Sequence, residues 1–349
     1  MNARPFLIPL IILGASIMGI LPVNAEKTGG YMAVEAGHGY VLVLKHDGSL
    51  WGWGSNFAGQ LADSTWTNRD KPVRIMEAVS HFSAGPYHAF AIDRRSRLWG
   101  WGQNEFGQIG DGTVGANTSK NIPVKLLGRV AYVSAGFQHS FAILLDGSLW
   151  GWGWNKLGQL GDGTRIDRYS PVKIMDGVKM VSAGRHNTYA IKNDGTLWSW
   201  GRNDKGQLGD GSRTESLIPV KIMDGMSKVA AGKSAVFAIK NDGSLWSWGF
   251  NECGQLGDGT HSDRVKPVKI MDGVKVVSAG GSHTFAIKND GSLWGWGYNT
   301  YGQLGDGTRE DRLSPVKIAD GVKDVAAGDY CTIYITENGD LMIMGDIRR

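Results

Sequence analysis

The sequence predicts an all-β fold, a seven-bladed β-propeller made of four-stranded repeats of about 48 residues. Two observations carry this prediction. One phrase, Leu-Trp-x-Trp-Gly-x-Asn-x-x-Gly-Gln-Leu-Gly-Asp-Gly-Thr, recurs at a nearly constant interval, and each of the first six repeats contains four short β-strand patterns without a helical period. The first Trp position of the phrase marks the repeat centres, which are Trp51, Trp99, Trp150, Trp198, Trp246, Trp294 and, in a degenerate copy, Met342.

The sixth repeat shows the four strand patterns in order. Residues 276–280 are short and β-branched, as expected of an inner strand, and residues 284–287 form the next apolar run. Asp290-Gly291 then predicts a tight hairpin turn into the third strand at 293–296. The last run, 315–318, begins with proline, which fits an outer strand because its first residue donates no ladder bond there.

The seventh repeat lacks the Pro-Val run of the other six. We therefore expect one blade to be incomplete or closed by a chain terminus. The candidate segments for closure are 26–30 and 346–349, and a three-stranded blade is the remaining alternative.

The first 25 residues have the pattern of a signal peptide. Arg4 precedes an uncharged apolar stretch at 6–21, and Val23-Asn24-Ala25 places small residues at the expected cleavage positions. Cleavage after Ala25 would leave residues 26–349 as a single propeller, secreted or extracytoplasmic in the periplasm, cell wall or medium, with no stable membrane span. The alternative is that the stretch stays uncleaved as a membrane anchor.

The charge balance of the chain gives no support for a function that requires a strongly charged surface. The chain has 37 Lys and Arg residues against 33 Asp and Glu residues, and no basic run. We therefore expect no nucleic-acid partner. Cys253 and Cys331 lie in non-neighbouring repeats, so a disulfide is not predicted. We expect a monomer that binds an unidentified protein partner.

Residues that recur in every repeat are interpreted as structural. The paired Trp residues supply apolar area between blades. His88, His139 and His283 are expected to bond backbone groups within their own blades, and the Gly-Asp-Gly aspartates to stabilise turns rather than bind calcium. We predict no metal and no cofactor. The usual nucleophile, zinc and phosphate motifs are absent, so whether the chain is an enzyme is left open, with a non-enzymatic role favoured.

The copies differ in the turns that antiparallel connectivity places on one face of the ring. These turns carry aromatic and charged side chains, which are typical anchors of protein interfaces. Trp66 and Trp154 are the two Trp residues outside the paired slots. The candidate binding residues are Tyr87, Phe137, Trp154, Arg185, His186, Arg202, Phe250, Tyr298 and Tyr330.

The phrase WGWGxNxxGQLGDGT, followed by Pro-Val and then by AGxxHxFAIxxDGxLW, resembles the repeat of the regulator of chromosome condensation family over residues 31–345. The resemblance implies a seven-bladed propeller. It implies function less specifically, because the family includes a nuclear guanine-nucleotide exchange factor, parts of ligases and channels, and secreted bacterial proteins. The signal peptide favours a secreted bacterial member.

Three function hypotheses follow. The first is a secreted or cell-surface propeller that binds protein through its variable turn face. The second is a propeller enzyme of the lyase type, with Glu35, Arg185 and His186 as weak catalytic candidates at the channel mouth. The third, implied by the resemblance, is guanine-nucleotide exchange. Export of the chain and an insertion of only three residues within 114–122, too short for the inserted hairpin of the exchange factor, argue against it.

Overall fold

The computed structural model describes residues 21–22 and 30–346, and these residues form seven four-stranded antiparallel sheets arranged as a propeller. The described residues contain no helix. The all-β, seven-bladed prediction is therefore confirmed. The inner strands, which line the central channel, are Tyr31–Ala36, Val79–Ala84, Val130–Ala135, Val178–Ala183, Met226–Ala231, Val274–Ala279 and Val322–Ala327.

The other three strands of each blade follow outward in chain order. The second strands are Tyr40–Lys45, His88–Asp93, His139–Leu144, Asn187–Lys192, Ala235–Lys240, His283–Lys288 and Cys331–Thr336. The third strands are Leu50–Gly54, Leu98–Gly102, Leu149–Gly153, Leu197–Gly201, Leu245–Gly249, Leu293–Gly297 and Leu341–Gly345. The outer strands are Arg69–Met76, Lys120–Lys125, Arg168–Met175, Ser216–Met223, Arg264–Met271, Arg312–Ala319 and, in blade 7, Leu21–Pro22.

The second Trp of each pair joins neighbouring blades. Trp200 is fully buried, and its indole Nε1 donates to the backbone oxygen of Gln159 in the preceding blade at 2.9 Å. Trp101, Trp152, Trp248 and Trp296 make the same bond to the preceding blade. Each indole thus combines a large buried apolar area with a satisfied donor, which is why Trp recurs at this position.

The recurring histidines also join blades. His139 Nε2 lies 3.1 Å from Thr188 Oγ1 of the next blade, and that hydroxyl donates to Gln159 O at 2.8 Å. His88 and His283 make equivalent contacts with Ser140 and Thr332. The expectation of bonds within one blade is therefore wrong, because the side chain reaches across the interface. Burial lowers the pKa of His139 to about 3, so this ring is neutral at ordinary pH.

The long turn between the third and outer strands is held by one asparagine and one aspartate. In blade 3, Asn155 Oδ1 accepts from Leu160 N at 2.9 Å, and Asn155 Nδ2 donates to Asp162. Asp162 also accepts from Thr164 N at 3.0 Å and from Arg168 Nε at 2.8 Å. The turn-stabilising role predicted for these aspartates is confirmed.

Blade 7 is closed by the strand Leu21–Pro22, which pairs antiparallel with Met342 and Ile343. A terminal segment therefore supplies the fourth strand, as one alternative predicted, but it lies upstream of the two segments named for that purpose. The predicted signal peptide, 1–25, otherwise falls outside the described residues. Cleavage after Ala25 would remove this strand and leave three strands in blade 7.

The ring is also closed by side chains. A buried cluster joins Val41, Val43 and Trp53 of blade 1 to Ile333 and Ile335 of blade 7. Among the described residues, no helix is long and apolar enough to cross a membrane. Cys253 and Cys331 are free.

Candidate functional site

The variable turns do meet on one face, as the connectivity predicted. The long turn of each blade lies beside the turn between the first two strands of the next blade. Phe57 in the long turn of blade 1 is 5.7 Å, between ring centroids, from Tyr87 in the inner turn of blade 2. Trp154 of blade 3 is 5.1 Å from His186 of blade 4 by the same measure. Two sets of turns thus form one continuous surface.

An unbroken row of rings crosses this surface. The aromatic row consists of Phe57, Tyr87, Phe137, His186 and Trp154, in that order. Consecutive ring centroids are 5.7, 6.1, 5.9 and 5.1 Å apart, and most pairs meet edge to face. These separations lie within the range in which aromatic pairs attract each other. Each ring of the row is therefore held by contact with its neighbours.

Arg185 gives the row its charge. The Arg185 guanidinium lies 5.2 Å from the centre of the Phe137 ring, and the side chain is exposed. Burial, and secondarily the charges of Arg185 and Arg202, lower the pKa of His186 to about 4. His186 is therefore neutral at pH 7. The row presents one fixed positive charge over a mostly apolar surface, which is the composition of an interface anchor.

The remaining predicted binding residues lie in separate clusters around the same face. Tyr301 connects Tyr298 and Tyr330, with centroid separations of 6.0 and 5.2 Å. Phe250 is covered by the ammonium group of Lys205, 5.2 Å from the ring centre. Arg202 Nη2 donates to Asp204 at 2.7 Å. The nine candidates thus share a face but form one row and three smaller groups.

A charged bridge lies across the channel mouth. Asp329 of blade 7 accepts from His38 Nδ1 of blade 1 at 2.5 Å and pairs with Lys233 Nζ of blade 5 at 2.9 Å. Burial raises the pKa of Asp329, but the His38 bond and the Lys233 charge outweigh burial and leave the pKa below its ordinary value. A small cavity of about 130 Å³ at this mouth is lined by these three residues together with Phe137 and Arg185.

A second cavity of about 360 Å³ lies deeper in the channel. Its wall is formed by the third to sixth residues of the inner strands, although Lys228 at the third position of blade 5 is not part of it. The third position differs in all seven blades, reading Ala33, His81, Tyr132, Met180, Lys228, Val276 and Asp324. This ring of differences was not predicted from the sequence. An alignment of the repeats could have revealed it, because the next strand position is Val in six of the seven blades.

Glu35 belongs to this deeper wall and has a structural role there. At the fifth inner-strand position, Ser83, Ser134 and Ser182 each accept a backbone N–H from the next blade. Glu35 makes the same bond, since its Oε2 accepts from Ala84 N at 2.6 Å. Burial raises the pKa of Glu35 to about 8, with a backbone bond from Ala84 opposing and the charge of Asp324 adding to it. Glu35 is therefore mostly protonated at pH 7.

The three catalytic candidates do not share a cavity. Glu35 lines the deeper cavity, Arg185 lines the cavity at the mouth, and His186 packs between Phe137 and Trp154 in the aromatic row. Among the described residues, no group of three or more His, Cys, Asp and Glu side chains could hold a metal ion.

Fold and surface together define a repeat propeller whose interfaces between blades recur and whose turn face differs from blade to blade. The chain matches the model of the RCC1-like domain over residues 18–283 and that of the regulator of chromosome condensation (RCC1) repeat over residues 290–335. It therefore belongs to the RCC1-like domain family.

Curated relatives are eukaryotic and longer than the matched region. The ultraviolet-B receptor UVR8 of Arabidopsis thaliana is 31% identical over 145 residues, covering 39% of this chain and 32% of the receptor. The probable E3 ubiquitin-protein ligase HERC6 of Homo sapiens is 31% identical over 146 residues, covering 40% of this chain and 14% of the ligase. The matches thus span a third or less of these relatives.

Solved structures share the fold over most of the chain. Human WBSCR16 superposes with a TM-score of 0.79 at 23% identity, covering 91% of this chain and 87% of that one. Prp20p of Saccharomyces cerevisiae superposes with a TM-score of 0.77 at 20% identity, covering 90% and 82%. At these identities the likeness establishes the fold alone.

Proposed function

We propose that this chain is a secreted or cell-surface bacterial propeller that binds another protein through its variable turn face. The observation that carries the proposal is the aromatic row, in which five rings and Arg185 form a continuous surface over blades 1 to 4. Rings and arginine are the side chains that most often dominate binding energy at protein interfaces.

The scaffold suits this role because it holds the row rigidly. The turns that carry the rings are fixed by backbone bonds between blades, such as Phe137 N to Gly184 O at 3.2 Å. Each ring is further fixed by its neighbours in the row. A surface that is ordered before binding loses little conformational entropy when the partner arrives.

Proteins of the same fold are known to bind other proteins. The structure of Prp20p was described together with its binding to Gsp1p and histones, and yeast RCC1 (Prp20) was solved with Kap60 bound. Secretion is supported here by the signal-peptide pattern of residues 1–25.

The two alternatives have less support. A lyase-type site would need its acid and base beside one substrate, whereas Glu35 and Arg185 line different cavities. Nucleotide exchange is supported only through family membership, and a measured acceleration of nucleotide release from a small GTPase would establish it.

The test is capture of a partner from extracellular extract on immobilised protein. The test variant carries Tyr87→Ala, Phe137→Ala and Trp154→Ala, and the matched control carries Leu145→Ala and Ile218→Ala, two apolar side chains that are 58% and 57% exposed outside the row. We expect a protein that the wild type and the control capture and the test variant does not. Equal capture by both variants, with unchanged circular dichroism, would refute the proposal.

A further inference from the structure

A recess on the rim of the turn face lies between the long turns of blades 1 and 2. Its volume is about 320 Å³, which is at the lower end of the roughly 300–1,000 Å³ typical of small-molecule sites. We call it the rim groove. Its principal lining side chains are Phe57, Trp66, Gln103, Glu105, Asn117 and Ser119.

Two aromatic side chains in the rim groove are exposed to solvent. Phe57 is 60% exposed and Trp66 is 49% exposed. The position of Trp66 holds Arg165, Arg213 and His261 in blades 3, 4 and 5, where each side chain bonds a carbonyl in its own turn. Trp66 thus replaces a residue that braces the turn with a ring that faces the groove.

Both walls of the groove depart from the repeat. The wall from blade 2 includes Asn117 and Ser119, which belong to the stretch 114–122 that contains the three-residue insertion. In the long turn of blade 1, whose Phe57 and Trp66 form the other wall, Ala62 and Ser64 stand where other repeats have glycine, with φ of 48° and 65°. Left-handed backbone at non-glycine residues costs free energy and is concentrated at functional sites. The two most divergent long turns are the two that form the groove.

The lining chemistry selects the ligand class. Among the described residues that line the groove, none is Lys, Arg or His, so an anionic ligand would find no charge partner. Amide, carboxylate and hydroxyl groups offer donors and acceptors side by side, and two aromatic faces offer apolar contact. A ligand that is neutral, rich in hydroxyl groups and apolar on its ring faces satisfies both requirements.

We propose that the rim groove is a second binding site, which takes a neutral glycan. The rings of Phe57 and Trp66 stack against sugar faces. Gln103, Glu105, Asn117 and Ser119 bond the hydroxyl groups. This activity goes beyond protein binding by the aromatic row, although Phe57 contributes to both surfaces.

The test uses the whole chain on an array of neutral, N-acetylated and sulfated oligosaccharides, followed by titration with the best-bound free oligosaccharide. We expect binding to one neutral or N-acetylated class and none to sulfated ones. Trp66→Ala should weaken binding about tenfold or more, and Asn117→Ala less. The matched controls are Ile166→Ala, which is 58% exposed on the corresponding turn of blade 3, and Trp154→Ala. Both should leave affinity unchanged.

The proposal would be overturned if no oligosaccharide bound at millimolar concentration, or if a folded Trp66→Ala variant bound with undiminished affinity. Preferential binding of sulfated glycans would also contradict it. The result is separable from that of the protein-capture test, because Trp66→Ala should still capture the protein partner. The aromatic-row variant, which retains Phe57, should still bind glycan.

Discussion

The layer between blades and the turn face are built from the same repeats, yet they differ in how far the copies agree. The first six repeats carry the same buried Trp, Asn and Gln. In five of them the second indole bonds a backbone oxygen of the preceding blade, and the Asn side chain bonds the backbone of its own turn, as Asn155 does with Leu160 N. On the turn face, equivalent positions hold Trp154, Arg202, Phe250 and Tyr298. Buried positions are constrained by the neighbouring blade in every copy, whereas turn residues that face solvent are free to differ. Recurrence therefore reports on packing, and variation shows where function can reside.

The largest expected effect distinguishes two tryptophans. Trp200→Ala should lower the free energy of unfolding by about 3–5 kcal/mol, because it opens a cavity and leaves the Gln159 carbonyl without its indole donor. Trp154→Ala, on the turn face, should cost less than about 1 kcal/mol. Urea denaturation midpoints of the two variants measure the difference. Equal losses would contradict the division between a structural layer and a functional face.

A second prediction concerns pH and the channel wall. Glu35 has a pKa of about 8 in the fold, whereas an unfolded glutamate ionises near 4.3. Between these values the folded state binds more protons, so the free energy of unfolding falls as pH rises. Buried His139, with its pKa lowered to about 3, acts in the opposite direction but only below about pH 6.5. Asp324, with its pKa raised to about 6, acts mainly below that pH too.

The window from pH 6.5 to 8 therefore isolates Glu35. In this window the free energy of unfolding of the wild type should fall by up to about 1.4 kcal/mol per pH unit. Glu35→Gln should remove that slope while keeping an acceptor for Ala84 N. Denaturation at several pH values measures it. A slope shared by both proteins would show that Glu35 ionises normally.

The recurring parts of the repeats could be predicted from the sequence, whereas the parts that depend on packing between blades could not. Glycine, tryptophan and turn residues recur with a period, so the blade count, strand order and Asp162-type turns could be predicted. The contacts across blades could not be predicted, because the sequence does not show which blade the His139 side chain faces. The two cavities could not be predicted either. The separation of Glu35 from Arg185 depends on how deep each residue lies in the channel.

A third prediction tests the strain in the blade 1 turn. Ser64→Gly should raise the free energy of unfolding by about 0.5–1 kcal/mol, because glycine adopts the φ of 65° without steric cost. The reverse change in blade 3, Gly163→Ser, should lower it by about 1 kcal/mol. A Cβ at Gly163 meets only Ile218 at 3.8 Å, so the cost is confined to the backbone. Thermal unfolding of both variants measures the pair, and effects of the same sign would contradict this account.

The smallest expected effect concerns the closure of blade 7, where a backbone strand and a side-chain cluster both complete the ring. The strand Leu21–Pro22 pairs through two residues, whereas the cluster buries ten residues of blades 1 and 7. Burial of that many apolar side chains outweighs a two-residue edge pairing. Protein comprising residues 26–349 should therefore fold, and its free energy of unfolding should be less than about 1 kcal/mol below that of protein that retains the strand. Ile333→Ala, in the cluster, should cost about 2–5 kcal/mol. Denaturation midpoints test both, and the opposite order would mean that the ring depends on a strand that cleavage after Ala25 removes.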